Sequence, residues 1–263
     1  MQGAIDISIV SMIIGFLVLI IPIALAISLR INILSELAVS VSRMTIQLSL
    51  VGILLQFLFD INSLWFTSLW FLIMIFAASL NIIKRSGVRL KNSVIINYTA
   101  LLIPVSVMLT YMLIFVVKPE PFFDARHFIP LAGMLLGNSM NATSLVLERF
   151  YNGIMKNKKE YYSYISLGAT LKEAIHPFLL KAYRAALMPT IATMSTMGLV
   201  ALPGMMTGQI LGGSSPITSI KYQIIIMIFI FSSTSLSSML LINLARLAMF
   251  DRYCLIRDDL DKG

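Results

Sequence analysis

Seven long apolar segments divide this sequence, and its charged residues gather in the spacers between them. A helix needs about 20 apolar residues to cross the hydrocarbon of a membrane. The segments that meet or approach this length are 7–29, 44–60, 64–83, 93–117, 128–147, 188–211 and 222–247. Charged residues make up 12% of the chain, against roughly 25% in a soluble domain, which is too few for a water-facing surface. The sequence therefore predicts an all-α, multi-pass protein of the cell membrane, with residues 1–263 forming one transmembrane domain.

The basic residues predict which way the chain crosses the membrane. Lys and Arg are retained on the cytoplasmic side of short loops. With the N-terminus outside and the C-terminus inside, the outer loops keep three basic residues, Lys118, Arg126 and Lys221. The other 17 fall on the inner side: Arg30, Arg43, Lys84, Arg85, Arg89, Lys91, Arg149, Lys156, Lys158, Lys159, Lys172, Lys181, Arg184, Arg246, Arg252, Arg257 and Lys262. An even number of spans would destroy this asymmetry, so the charges favour seven.

The sequence argues against nucleic-acid binding, an internal disulfide and a cleaved signal peptide. The net charge of +8 does not indicate nucleic-acid binding, because the basic residues form no stripe with interleaved aromatics. The single cysteine, Cys254, cannot form an internal disulfide. The motif Ala24-Leu25-Ala26 resembles a signal-peptide cleavage site, but Met1 to Ile7 holds no basic residue and the apolar run is too long. We expect the first segment to remain as a span.

The fifth and sixth segments are the most polar and are candidates to line a path through the membrane. A helix that faces lipid gains nothing from amides and glycines, so these two segments are expected to face other helices or a cavity. The candidate path residues are Asn138, Asn141, Met194, Met197, Met205 and Gln209. Buried amides also tie helices together, and methionine also fills irregular packing, so both structural interpretations remain open. Thioether sulfur suits Cu(I) better than iron, and no residue set identifies the transported species.

The spacer 148–187 is the longest and reads as helix-forming sequence. Gly168 supplies a turn, and Thr170 with Glu173 fits a capping box that starts a helix at Leu171, with Ala174 on one side of it. This helix either lies on anionic lipid or docks a soluble partner. The candidate docking residues are Ser166, Leu167, Gly168, Ala169, Thr170, Glu173, Ala174, His176 and Pro177.

Part of this spacer resembles the cytoplasmic loop of permeases of the ABC importer type. The resembling residues are Leu167-Gly168-Ala169-Thr170 and then Leu179-Leu180, directly ahead of a membrane segment. In that family the loop ends in a coupling helix that fits a cleft of the ATPase subunit. The match is partial, because Tyr162-Ser163-Tyr164 stands where the family has Glu-Ala-Ala and Lys181 stands where it has proline.

The run from Arg184 to Gly213 resembles the signature of the FetB family of iron export permeases, which includes plant aluminium-tolerance half-transporters. Further matching runs are Arg43 to Leu48, Gly133 to Asn141, and Lys221 to Ile224, so that the resemblance covers roughly residues 10 to 255. It implies a permease subunit that exports iron with a separate, FetA-like ATPase holding ATP and Mg²⁺. This chain contains no Gly-x-x-x-x-Gly-Lys-Ser/Thr loop, so no cofactor is expected in it. A homodimer with two ATPase chains is expected.

Other functions stay as alternatives. A secondary transporter normally couples ions through ionisable groups buried in the bundle, and the middle of each apolar segment lacks Asp, Glu, Lys, Arg and His. An intramembrane enzyme would need clustered ligands or a nucleophile with a base, whereas His127 and His176 are predicted to lie outside the membrane on opposite faces. A structural membrane subunit and an ABC permease for another metal or small solute also remain open.

Overall fold

The computed structural model describes residues 7–88, 90, 92–121, 123–251 and 253–257. The predicted inner basic residues Arg89, Lys91, Arg252 and Lys262 lie outside these ranges. Within them the chain is helical throughout, apart from short connections and two isolated bridges. The helices are α1 Ile9–Leu17, α2 Ile20–Ser28, α3 Leu34–Ile61, α4 Leu64–Ser86, α5 Ser93–Tyr111, α6 Ala125–Lys156, α7 Lys158–Ser166, α8 Leu171–Thr196, α9 Gly204–Leu211 and α10 Pro216–Met249.

Five helical stretches in the described part of the chain are long and apolar enough to cross a membrane. They are Ile9–Ser28, which joins α1 and α2, Leu34–Ile61, Leu64–Ser86, Ser93–Val117, which adds a π-helical turn to α5, and Pro216–Met249. These stretches confirm the all-helical, multi-pass class. The fifth and sixth predicted segments, which fall in α6 and in α8 with α9, are not among the five.

Helix α6 lies at the centre of the bundle and packs against α4, α5, α8 and α10. Its 32 residues extend about 48 Å, well beyond the predicted segment 128–147. A helix surrounded by other helices has little contact with lipid, and this explains why it can carry so many polar residues. Ser139 Oγ lies 2.9 Å from Ser233 Oγ of α10, and Thr143 donates to its own helix, so hydroxyls line a buried seam between the two.

The first three helices lie almost apart from this bundle. In the most apolar stretches of Ile9–Ser28 and Leu34–Ile61, 6% of residues are buried, against 50% in Pro216–Met249. α3 reaches the bundle through its last turns, where Leu58 is buried and the Asn62 side-chain oxygen accepts a 3.0 Å bond from the Ala125 amide. The outer surfaces of α1–α3 are therefore left for lipid or for another chain.

Residues 188–211, predicted as one span, do not form one continuous helix. Helix α8 ends at Thr196, a non-helical stretch covers 197–203, and α9 begins at Gly204. Gly198 has a φ of +85°, which glycine adopts without steric cost, and Pro203 cannot continue a preceding helix. The amide of Gly198 donates to the Ala201 carbonyl at 3.0 Å and closes the turn. A broken helix of this kind is tolerated at membrane depth where it lines a cavity or is buried in protein.

Candidate functional site: a cavity joined to a capped helical hairpin

A cavity of about 420 Å³ lies between α6, α8, α9 and α10. The broken segment forms part of its wall, which therefore includes both regular helix and irregular backbone. Its lining is mainly apolar, with a few amides, hydroxyls and thioethers. Its polar and sulfur-containing lining residues include Met134, Asn138, Asn141, Thr193, Met197, Met205, Gln223 and Met227.

Four of the six predicted path residues line this cavity: Asn138, Asn141, Met197 and Met205. Met194 instead lines a neighbouring cavity of about 530 Å³, which shares Met197 with the first. Met194 and Met197 do not share a helix face, although their spacing of three residues would place them on one in a continuous helix, because α8 ends at Thr196 and Met197 is extended.

Gln209 lines neither cavity. It lies on α9, where its backbone carbonyl accepts a 2.9 Å bond from the Ser214 amide. The structure thus leaves the predicted path role of Gln209 without a contact that would support it.

Two amides of α6 are oriented by hydrogen bonds at the cavity wall. Asn138 donates its side-chain N–H to the Met134 carbonyl at 2.8 Å, which leaves its side-chain oxygen available. The oxygen of Asn141 accepts a bond from the guanidinium of Arg85, at the end of α4. Arg85 therefore places a positive charge beside one end of the cavity.

Gln223, which is not among the predicted path residues, lines both cavities. This side chain is 6% exposed, its Nε2 donates to the Met197 sulfur at 3.8 Å, and its Oε1 is buried without a hydrogen-bond partner. An unsatisfied buried oxygen costs roughly 1–3 kcal/mol, so a partner for it is to be expected. A lone amide early in the last apolar segment was the signal that could have found it.

The spacer 148–187 is a helical hairpin formed by the end of α6, by α7 and by the start of α8. The predicted capping box is confirmed: the Glu173 amide donates to Thr170 Oγ1 at 3.4 Å, and the Thr170 amide donates to Glu173 Oε2 at 2.8 Å. The hydrogen bonds from Thr170 hold the pKa of the Glu173 carboxyl below its usual value. Gly168 turns the chain with a φ of +89°.

The tip of this hairpin presents most of the predicted docking residues to solvent. Leu167 is 83% exposed, so this apolar side chain does not pack into the core of its own chain. The other exposed members are Ser166, Gly168, Thr170, Glu173 and His176, while Ala169 and Pro177 are half-buried.

Ala174 was predicted to be a docking residue, and this prediction is wrong. It is fully buried in the chain's own core, together with Ile175 and Phe178 on the inner face of α8. A side chain buried within its own subunit cannot contact a docked partner. The helix periodicity was right, but the face that carries Ala174 points inward.

Helix α8 connects the hairpin tip to the cavity without interruption. It begins at the Thr170 cap, and its residues Ala186, Pro189, Thr190 and Thr193 line the cavity. Midway, the Tyr183 hydroxyl donates to the Ser235 carbonyl of α10 at 3.2 Å. The exposed tip and part of the cavity wall therefore belong to one helix.

The ionisable side chains of the described residues form no group of three or more His, Cys, Asp or Glu that could hold a metal ion. His127 is bonded to Asp124 at 2.9 Å near the start of α6, whereas His176 is exposed on α8. The cavity thus offers neutral oxygen, nitrogen and sulfur atoms as its polar contacts.

Comparison with known proteins assigns the family. Residues 9–250 match the family described as Uncharacterised protein family (UPF0014). The chain is 35% identical to UPF0014 membrane protein slr1647 of Synechocystis sp., over 79% of this chain and 80% of that protein. It is 34% identical to the Probable iron export permease protein FetB of Escherichia coli, over 76% of each chain.

A plant relative is also similar. Protein ALUMINUM SENSITIVE 3 of Arabidopsis thaliana is 31% identical over 85% of this chain and 81% of its own length. No solved structure matches the chain. The resemblance drawn from the sequence is confirmed by these matches, and the chain belongs to the UPF0014 family of membrane proteins.

Proposed function

We propose that this chain is the permease subunit of an ABC transporter that exports iron with a separate ATPase chain. Iron is carried over from the name of the Escherichia coli relative. A separate ATPase is required because the sequence has no phosphate-binding loop with which to hold ATP. The functional unit is two copies of this chain with two ATPase chains.

The proposed topology has seven spans, with α6 and with α8 and α9 as the two additional ones, and with the N-terminus outside. It is supported by the distribution of the basic residues, 17 inside against three outside. The length of α6, about 48 Å, exceeds the hydrocarbon thickness of about 30 Å. The ends of α6 therefore lie on opposite sides of the membrane in this arrangement.

The observation that carries the proposal is the continuity of α8 from the exposed tip to the cavity. An ATPase subunit that binds around Leu167 and moves during ATP hydrolysis would move the N-terminus of α8. Because α8 is one helix to Thr196, this movement would reach Pro189 and Thr193 at the cavity. The tip is thus the coupling element, and the ATPase contact lies around Ser166 to Pro177.

The test is reconstitution of this chain with an ABC ATPase from the same organism in lipid vesicles, with Fe(II) and ATP both supplied on the ATPase side under anaerobic conditions. We expect iron movement that needs ATP and Mg²⁺ and that stops when the ATPase's catalytic glutamate is replaced. Iron movement driven by a proton gradient without ATP would support a secondary transporter instead. ATP-dependent movement of another solute but not iron would keep the class and change the substrate.

A further inference from the structure

The cavity wall concentrates lone pairs of neutral side chains. Four methionines contribute to it: Met134, Met197, Met205 and Met227. Asn138 and Gln223 contribute side-chain oxygens to the same wall. Of the described residues that line this cavity, none is Asp, Glu, His, Lys or Arg.

Gln223 gives this wall a defined centre. Its N–H donates to the Met197 sulfur at 3.8 Å, and this contact turns Oε1 away from the thioether. Since Oε1 is buried and has no hydrogen-bond partner, it is an acceptor available to a ligand. A cation bound by the Met197 sulfur would displace the N–H, and a half-turn of the Gln223 amide would then bring Oε1 to the same cation.

The charge-neutral lining selects among cations. The cost of removing an ion from water rises steeply with its charge, and no carboxylate is present here to offset that cost for Fe(III). Thioether sulfur is a soft ligand that suits Cu(I), whereas carboxylate and water suit harder ions. A soft monovalent cation is therefore the ion that this wall fits best.

We propose that Gln223 and Met197, with the adjacent thioethers, form a transient binding site for a soft monovalent cation such as Cu(I). The inference rests on the proposed function in one respect, that this cavity lies on the transport path. Neutral ligands bind weakly enough to release an ion again, which a site on a path requires.

The positive charge of Arg85 marks the other end of the cavity. Arg85 contacts Asn141, which follows Met134 by seven residues on α6, a distance of about 10 Å along the helix. The cation site is thus placed at the end formed by Met134, Met197 and Gln223. The guanidinium at the opposite end disfavours a bound cation there.

The experiment measures binding of Ag(I), a redox-stable substitute for Cu(I), to the purified full-length chain by equilibrium dialysis in chloride-free buffer. All samples carry Cys254→Ser, because the thiol would bind Ag(I) by itself. We expect Met197→Leu and Gln223→Leu each to weaken Ag(I) binding at least about tenfold. The matched control is Met239→Leu, an exposed methionine of α10 away from this cavity, which should bind Ag(I) as its parent does.

Folding is measured separately by thermal unfolding. Leucine conserves the volume of methionine, and Gln223→Leu removes the unsatisfied oxygen, so neither variant should unfold at a lower temperature than the parent by more than a few degrees. Unchanged Ag(I) affinity in both variants, or equal loss in Met239→Leu, overturns the inference. So does tighter binding of Fe(III) than of Ag(I) to the parent.

The two proposals fail in different ways. ATP-dependent iron export by a chain whose Met197 and Gln223 variants bind Ag(I) normally would overturn the cation site and leave the proposed function intact. Binding of Ag(I) that depends on Met197 and Gln223, in a chain that associates with no ATPase, would support the site and overturn the proposed function.

Discussion

The hydroxyl of Tyr161 donates a 2.6 Å hydrogen bond to the backbone carbonyl of Cys254, across 93 residues of sequence. Tyr161 is fully buried in α7, and its ring lies 5.4 Å from that of Phe250. Phe250 in turn pairs with Ile256 in an antiparallel bridge, which folds the segment after α10 back on itself. Burial raises the pKa of Tyr161, so the hydroxyl stays protonated as a donor at physiological pH. The C-terminal segment is thereby fastened to α7, within the hairpin that carries the exposed tip.

Tyr161→Phe should loosen this C-terminal segment. Loss of the hydrogen bond leaves the Cys254 carbonyl without this partner, at a cost of about 1 kcal/mol. A change of this size increases the fraction of molecules whose C-terminal segment is detached from α7 about fivefold. The rate at which a maleimide labels Cys254, the single cysteine of the chain, measures it directly. Tyr164→Phe is the control, since its hydroxyl bonds Glu160 at the exposed surface of α7, and it should not change the rate.

The capping box of α8 should weaken in acid. Hydrogen bonds from Thr170 lower the pKa of Glu173, so the carboxylate stabilises the folded state above the pKa of the unfolded chain. That contribution is lost as the pH falls through the lowered, folded-state pKa. Hydrogen exchange of residues 167–177, corrected for the intrinsic rate, should show protection that falls over this acidic interval. Glu173→Gln keeps a capping side chain without a titrating group, so its protection should change less with pH.

Thr170→Ala should destabilise the first turn of α8 at every pH. Removal of an N-cap side chain costs about 1 kcal/mol of helix stability. The exchange protection of residues 171–175 should fall about fivefold, while that of the remainder of α8 should hardly change. Thr170→Ser supplies the same hydroxyl and should restore protection, and failure of serine to do so would indicate that the methyl group packs instead.

Leu167→Asp should weaken ATPase binding about tenfold in a pull-down, with normal amounts of inserted protein. Leu167 is exposed, so the change should alter stability by no more than about 0.5 kcal/mol. Ala174→Asp is the contrasting variant, because it buries a charge inside the subunit and should reduce folded protein itself. Ser163→Asp, exposed on α7, is the control for added charge. Equal ATPase binding by Leu167→Asp and its parent would place the contact elsewhere, such as the basic loop of 84–91.

The proposed orientation is tested by cysteine labelling in intact cells, with Cys254→Ser as the parent. Lys118→Cys should react with a membrane-impermeant reagent added outside, and Lys156→Cys should not, because the positions lie near opposite ends of the 48 Å helix α6. Lys262, outside the described residues, should behave like Lys156. Labelling of position 156 with protection of 118 would reverse the orientation. After permeabilisation, all three positions should react, which controls for burial.

Features that depend on neighbouring residues could be predicted from the amino-acid sequence. Apolar length and the scarcity of charge established a helical, multi-pass membrane protein, since each span must satisfy its own backbone hydrogen bonds in lipid. The capping box of Thr170 and Glu173, and the turn at Gly168, were also readable, because their partners lie within a few residues. The family resemblance was also visible in the sequence, because it rests on contiguous runs of residues such as Arg184 to Gly213.

Which helix faces are buried, and which distant residues meet, depends on how the helices pack together. The periodicity of α8 placed Ala174 on one face correctly, but which face points inward depends on α6 and on the other helices packed against it. Likewise, Gln223 reaches Met197, and Arg85 reaches Asn141, through contacts between helices far apart in sequence. The central position of α6 explains why this helix is too polar to be counted among the five apolar stretches, because a helix shielded from lipid is not required to be apolar. Burial is a property of the assembled bundle, and no segment carries it alone.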